Sequence, residues 1–218
     1  IGALMFMKLQ PFVKAVKMKS VLHDILDGFR YVKSQPVMIG LILVVAFSSS
    51  FGLAFATLFP AWAVKILHGD AATNGFMQSA RGAGSMLAAL MIAAISRGNN
   101  MGKVLTISTF LFPVFLLLFS FMGTLVPSLV VLFFTGIFLL FVISLSNGLI
   151  QTIVADEYRG RVMGVHTMTF FGMMPVGALI YGQLAQHLGE VLAVQISGGV
   201  LAVFAVVVFV MFPSLRKV

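Results

Sequence analysis

The sequence predicts an all-α membrane protein: six transmembrane helices preceded by a cytoplasmic amphipathic helix. Three observations carry this. Apolar residues make up 60% of the 218 and charged residues 9%, where a soluble domain has roughly 45–50% and ~25%. The apolar residues fall in long unbroken runs, not in the short alternating segments of a β-barrel. The basic residues lie between those runs and keep to one side of the membrane. The same composition excludes disorder, which needs low hydrophobicity and high charge. The absence of cysteine excludes a disulfide scaffold. The net charge of +8 belongs to the membrane topology, so no nucleic-acid partner is expected.

The elements follow in order. Residues 1–7 are apolar and begin with Ile1 rather than Met; they read as the tail of a preceding membrane helix, and the chain as a fragment. Residues 8–36 form a cytoplasmic linker containing the amphipathic helix 20–34. There Val21, Leu22, Ile25, Leu26, Phe29 and Val32 share one face, and Asp24, Asp27 and Arg30 point elsewhere. This helix either lies on the membrane surface or packs on the bundle. The bundle, 37–213, holds the spans, because a bilayer core of ~30 Å takes about 20 apolar residues. They run over 37–64, 74–96, 102–122, 128–154, 162–187 and 191–212, with Pro127 suited to a first turn and Pro213 stopping the last. Residues 214–218 are a cytoplasmic tail.

Lys8, Lys14, Lys17, Lys19, Arg30, Lys33, Arg97, Lys103, Arg159, Arg161, Arg216 and Lys217 all fall on one side of this threading. The other side's loops hold only Lys65, and Arg81 lies inside a span. The positive-inside rule then puts both termini in the cytoplasm and the protein in the cytoplasmic (inner) membrane.

No enzyme is expected. The sequence has no H-E-x-x-H, no G-x-S-x-G turn, no Walker or dinucleotide glycine pattern, and no pair of carboxylates inside spans. Neither a metal nor a cofactor is expected, since the four histidines are scattered. The informative residues are the polar ones that would be costly in lipid. Gln78, Arg81 and Ser85 share a face of the second span, and Ser144, Asn147 and Gln151 a face of the fourth. Ser48, Ser49 and Ser50 lie mid-way along the first span, where a helix is easily distorted. Gln78, Arg81, Ser85, Ser49, Asn147 and Gln151 are therefore the candidate substrate-binding residues. Arg81 would attract an anionic group or join a gating ion pair; an arginine snorkelling to the headgroups is the alternative. Asp156, Glu157, Arg159 and Arg161 make a dense cluster read as a gating latch or as a plain anchor. His166 is a candidate proton carrier. Pro113 and Pro175 are candidate hinges. Phe47, Phe51, Phe55 and Phe59 form an aromatic wall or a packing seam. Gly75, Ser79, Ala83 and Gly84, and later Gly172, Gly177, Ala178, Gly182 and Ala185, give faces small enough for close backbone approach.

Three stretches carry a likeness: Asp27-Gly28-Phe29-Arg30-Tyr31-Val32 followed by Pro36; Asp156-Glu157-Tyr158-Arg159-Gly160-Arg161-Val162-Met163-Gly164; and Gly172 with Pro175-Val176-Gly177-Ala178, then Gly182 and Ala185. From residue 20 onward the chain resembles the C-terminal six-helix half of a major facilitator superfamily transporter, of the enterobactin-exporter-like and drug-efflux-like permeases. The family's usual loop pattern between second and third spans is met by Ser96-Arg97 but interrupted by Gly98-Asn99-Asn100-Met101. The resemblance implies a bundle of two three-helix repeats, with the first, second, fourth and fifth helices facing a cavity or the other half. It implies a partner N-terminal six-helix half, and secondary active efflux of a small amphipathic or hydrophobic molecule by alternating access. Proton coupling would rest on His166 or on the other half. The competing expectation is a six-span channel or homo-oligomeric scaffold complete in itself.

Overall fold

Proline opens the first long helix, and one left-handed glycine separates the last two. The structure, a computed structural model, describes residues 21–95 and 100–216. The expectations for residues 1–20, 96–99 and 217–218 lie outside the described residues. Helix α1 is Val21–Ser34. The rod α2, Pro36–Lys65, starts on Pro36, whose missing amide costs nothing in a first turn. Then come α3, Ala71–Ile95; α4, Met101–Ser120; α5, Leu125–Ile153; α6, Arg159–Leu188; and α7, Glu190–Met211. Gly189, at φ 84°, makes the tight α6–α7 corner. Asp70 caps α3: its carboxylate accepts the Thr73 amide at 3.0 Å and the Thr73 hydroxyl at 3.2 Å. Those bonds, the amide first, hold the Asp70 carboxyl below the usual carboxylate range.

Helix α2 changes its winding where the serines fall. It is α-helical over Pro36–Phe47, π-helical over Ser48–Leu53, 3-10 over Ala54–Leu58, and α-helical again over Phe59–Lys65. Ser50 donates back to the Ala46 carbonyl at 2.9 Å, a hydroxyl bond that competes with regular winding.

Five helices are long and apolar enough to cross a membrane: α2, α4, α5, α6 and α7. At 25 residues, α3 is long enough, about 37 Å at ~1.5 Å per residue. Gln78 and Arg81 weaken its apolar signal.

The packing repeats. Helix α5 lies against α3 and α4, α4 against α7, and α6 against α7, α1 and the distorted middle of α2. In each set of three, the second helix thus packs on the first helix of the other set: α3 on α5, and α6 on α2. Glycines permit both approaches. A Cβ on Gly84 would lie 1.9 Å from the Phe133 carbonyl oxygen, and one on Gly136 2.1 Å from that of Arg81. A Cβ on Gly177 would lie 1.8 Å from the Ser50 carbonyl oxygen. One apolar core gathers Met38, Leu41, Leu149, Val162 and Phe209 near the α1 end. Another gathers Phe55, Phe59, Trp62, Phe119 and Tyr181 toward the opposite end. The phenylalanine repeat of α2 therefore packs: Phe55 and Phe59 are fully buried, and Phe47 stacks on Phe204 with centroids 4.0 Å apart. Leu215, in the 3-10 turn Pro213–Arg216, is buried against Gly40.

Candidate functional site

The polar stripe of α3 divides by depth. Ser85 donates to the Gly136 carbonyl of α5 at 3.2 Å, so its hydroxyl serves the α3–α5 crossing. Arg81, half-buried, reaches outward from that crossing. Its Nη2 donates to Gln78 Oε1 at 3.3 Å, and its guanidinium lies 5.5 Å from the centre of the Phe59 ring on α2. Such a cation–π contact contributes ~0.5–2 kcal/mol, more as water is excluded. Among the described residues, no carboxylate pairs with Arg81. The result is a partly desolvated cation beside an aromatic face, with Gln78 exposed next to it.

The serines of α2 bind α6. Ser49, fully buried, donates to the Phe170 carbonyl at 2.5 Å, and Ser50 also reaches the Met173 carbonyl at 3.3 Å. Farther along the same seam, Tyr181 donates to the Phe51 carbonyl at 2.8 Å. Ser49, by sequence a candidate cavity residue, lies in the α2–α6 seam. Pro175 sits two residues before Gly177 in that seam and, lacking an amide, cannot bond the Phe171 carbonyl. Pro113 does the same to Thr109 within α4.

Asn147 and His166 lie on different helices but border the same space. They line one cavity of about 190 Å³ between α5 and α6, with Ile143, Thr167, Phe170 and Phe171. Gln151 donates its amide to Asn147 Oδ1 one turn along α5. His166 is 5% exposed and its Nε2 has no hydrogen-bond partner among the described residues. Asn147 lies 11 residues beyond Gly136, the contact point of Arg81, and so ~16 Å along α5.

The charged cluster does not close on itself. Arg159 pairs locally with Asp156 at 2.6 Å. Arg161 instead crosses to α1, with Nε 2.9 Å from Asp24 and Nη1 3.6 Å from Asp27. Tyr31 stacks on Tyr158 at 4.6 Å, and its hydroxyl accepts the Ala155 amide at 3.2 Å. Gly28 lies against the Arg161 carbonyl. Glu157 is exposed and, with Asp24 and Arg161, borders a neighbouring cleft. Of the two arrangements open for α1, the structure has it packed on the bundle, through residues that looked like its solvent face. At the opposite end Lys65 pairs with Glu190 at 2.5 Å, the carboxylate side chain being 9% exposed. Sequence reading passed over this pair; its one signal was a lone cation and a lone acid at the ends of two apolar runs.

Residues 1–218 match the model of a major facilitator family described as transmembrane secretion effector. The chain belongs to that family. It is also 25% identical over 182 residues to the staphyloferrin A transporter of Staphylococcus aureus (strain NCTC 8325 / PS 47), covering 81% of this chain and 43% of that protein. The chain thus spans less than half the length of the curated relative it matches. Family and relative are transporters rather than enzymes, which places this secretion-effector chain among multi-pass membrane transport proteins. Two stretches that carried the family likeness, around Gly28 and around Arg161, are the ones that dock in space.

Proposed function

We propose that the chain is one six-helix half of an alternating-access transporter, and that it exports a small amphipathic molecule bearing an anionic group. In this reading α3 is the sixth crossing, the α1 end is cytoplasmic, and a second six-helix bundle covers the exposed faces of α3 and α6. Helix α6 is the least apolar of the five qualifying helices and the least buried. A helix of that kind is better matched by a polar cavity or a protein neighbour than by lipid. Relative length supports the second bundle, since the matched transporter is more than twice as long as the aligned segment. Efflux is the direction suggested by a secretion family.

Arg81 carries the reading. A half-buried guanidinium with no carboxylate beside it, set against Phe59 and Gln78, suits a ligand with a negative group next to an apolar body. Asn147 and Gln151 line the route farther in, His166 is the group in this chain suited to carrying a proton, and Pro113 and Pro175 are the hinges. The test is counterflow of an anionic amphipath by the full-length transporter in proteoliposomes. Arg81→Ala is expected to lower the rate at least tenfold while leaving insertion intact; Arg81→Lys should keep part of it. Undiminished counterflow in Arg81→Ala removes Arg81 from the substrate site, and passive ion flux in its place supports a channel.

A further inference from the structure

Docking leaves one face of α1 uncovered, and the two faces of the helix differ in charge. Asp24 and Asp27 turn toward the bundle, where both meet Arg161, and Gly28 lies against the Arg161 carbonyl. On the opposite side, at ~3.6 residues per turn, Leu26, Phe29, Arg30 and Lys33 share one face. All four are exposed, Leu26 at 61% and Phe29 at 43%. Arg30 reaches Asp27 at 3.1 Å, yet its side chain stays 80% exposed. The docked face thus holds the two acids of α1, and the uncovered face holds two cations beside two large apolar side chains.

Neighbouring elements set the level of this face. One extended residue, Gln35 at φ −120°, separates α1 from Pro36. Its amide donates to the Val32 carbonyl at 3.2 Å, and its carbonyl accepts the Ile39 amide at 3.1 Å. The docked side of α1 packs on α6 where that helix begins. Helix α1 therefore lies level with the first turns of two helices long and apolar enough to cross a membrane. Water at that level would leave Leu26 and Phe29 hydrated, and a protein neighbour would have to pair Arg30 and Lys33. A lipid headgroup layer suits both kinds of side chain, since cationic heads meet phosphate while apolar groups reach the acyl boundary. We propose that Leu26, Phe29, Arg30 and Lys33 form a contact surface for the anionic headgroups of the adjoining leaflet. The ion pairs with Arg161 keep both carboxylates on the side away from the lipid, and the two cations face it. The proposal rests on the transport reading for one point, that this leaflet is the cytoplasmic one, and its test needs no transport.

The test uses the full-length transporter, with any cysteine elsewhere replaced, carrying a polarity-sensitive fluorophore on a single cysteine at Leu26→Cys or, separately, Phe29→Cys. The protein is reconstituted in nanodiscs of phosphatidylcholine, with and without phosphatidylglycerol, containing lipids brominated near the headgroup end of the acyl chain. Bromolipid is expected to quench either label at least twofold, and more strongly when phosphatidylglycerol is present. Adding Arg30→Gln and Lys33→Gln should abolish the phosphatidylglycerol increment and leave the rest of the quenching. The comparison of lipid mixtures needs no charge variant, so the outcome does not depend on the double variant folding. Unquenched emission typical of water overturns the proposal. Blue-shifted emission without quenching also overturns it, because protein then covers the face. Quenching indifferent to phosphatidylglycerol overturns the anionic contact. Counterflow that does not depend on Arg81, with lipid quenching intact, separates failure of the transport reading from failure of this one.

Discussion

Gly177 of α6 passes so close to Ser50 of α2 that a Cβ would lie 1.8 Å from the Ser50 carbonyl oxygen. No rotamer change relieves a clash with backbone, so Gly177→Ala must push two helices apart and lengthen the neighbouring Ser49 and Ser50 bonds. Overpacking costs ~1–3 kcal/mol. A thermal melt of the detergent-solubilised transporter should fall by about 5 °C, at ~2–4 °C per kcal/mol for a domain of this size. Gly172→Ala, with nothing within 4 Å of its Cβ in this chain, should lower the melt less than Gly177→Ala.

The same contrast holds at the α3–α5 crossing. Gly84→Ala and Gly136→Ala both meet backbone, at 1.9 and 2.1 Å, while Gly75 and Gly82 on α3 meet nothing. Alanine at either of the first pair should lower folded yield in membranes, measured by fluorescence size-exclusion chromatography. Alanine at either of the second pair should lower it less.

Arg161 rather than Arg159 should control the docking of α1. Exposed ion pairs contribute ~0–1 kcal/mol, and Arg161, partly buried and shared by two carboxylates, belongs at the upper end. Arg161→Ala should therefore accelerate maleimide labelling of Val32→Cys, a buried position, by about fivefold, the equivalent of ~1 kcal/mol. Arg159→Ala, which removes only the local pair with Asp156, should not change it.

Lys65 and Glu190 should prove coupled. Removing the lysine strands a carboxylate whose side chain is 9% exposed, and an unpaired buried charge costs more than losing the pair together. Lys65→Met alone should therefore melt lower than Lys65→Met with Glu190→Gln. Additive melting shifts across the four proteins would show that the pair does not interact.

What could be read from sequence was whatever repeats within one helix. Apolar run length located the helices to within a few residues, and Ser48-Ser49-Ser50 marked where α2 changes winding. Contacts between helices left no such trace. Asp24 and Asp27 looked like the wet side of an amphipathic helix because their partner, Arg161, is more than a hundred residues away. Ser49 and Ser85 looked like cavity residues because a hydroxyl in a span signals a hydrogen bond without saying to what; both bond to the backbone of a crossing helix. Asn147 and His166 share a cavity that neither helix's periodicity contains. Helix α3 is the ambiguous case, because the residues that suggest function, Gln78 and Arg81, are the ones that weaken its apolar signal.

That ambiguity locates the most direct test. A six-helix half requires α3 to cross the bilayer, carrying Arg81 with it, and so to put the α2–α3 loop outside and the α3–α4 loop inside. This chain has no native cysteine; with any cysteine elsewhere in the full-length transporter replaced, single cysteines at His68, Asn100 and Glu157 can be labelled with an impermeant maleimide in intact cells. Labelling of His68→Cys alone, with Asn100→Cys and Glu157→Cys reacting after permeabilisation, is the expected result. Labelling of Asn100→Cys in intact cells alongside His68→Cys would contradict it.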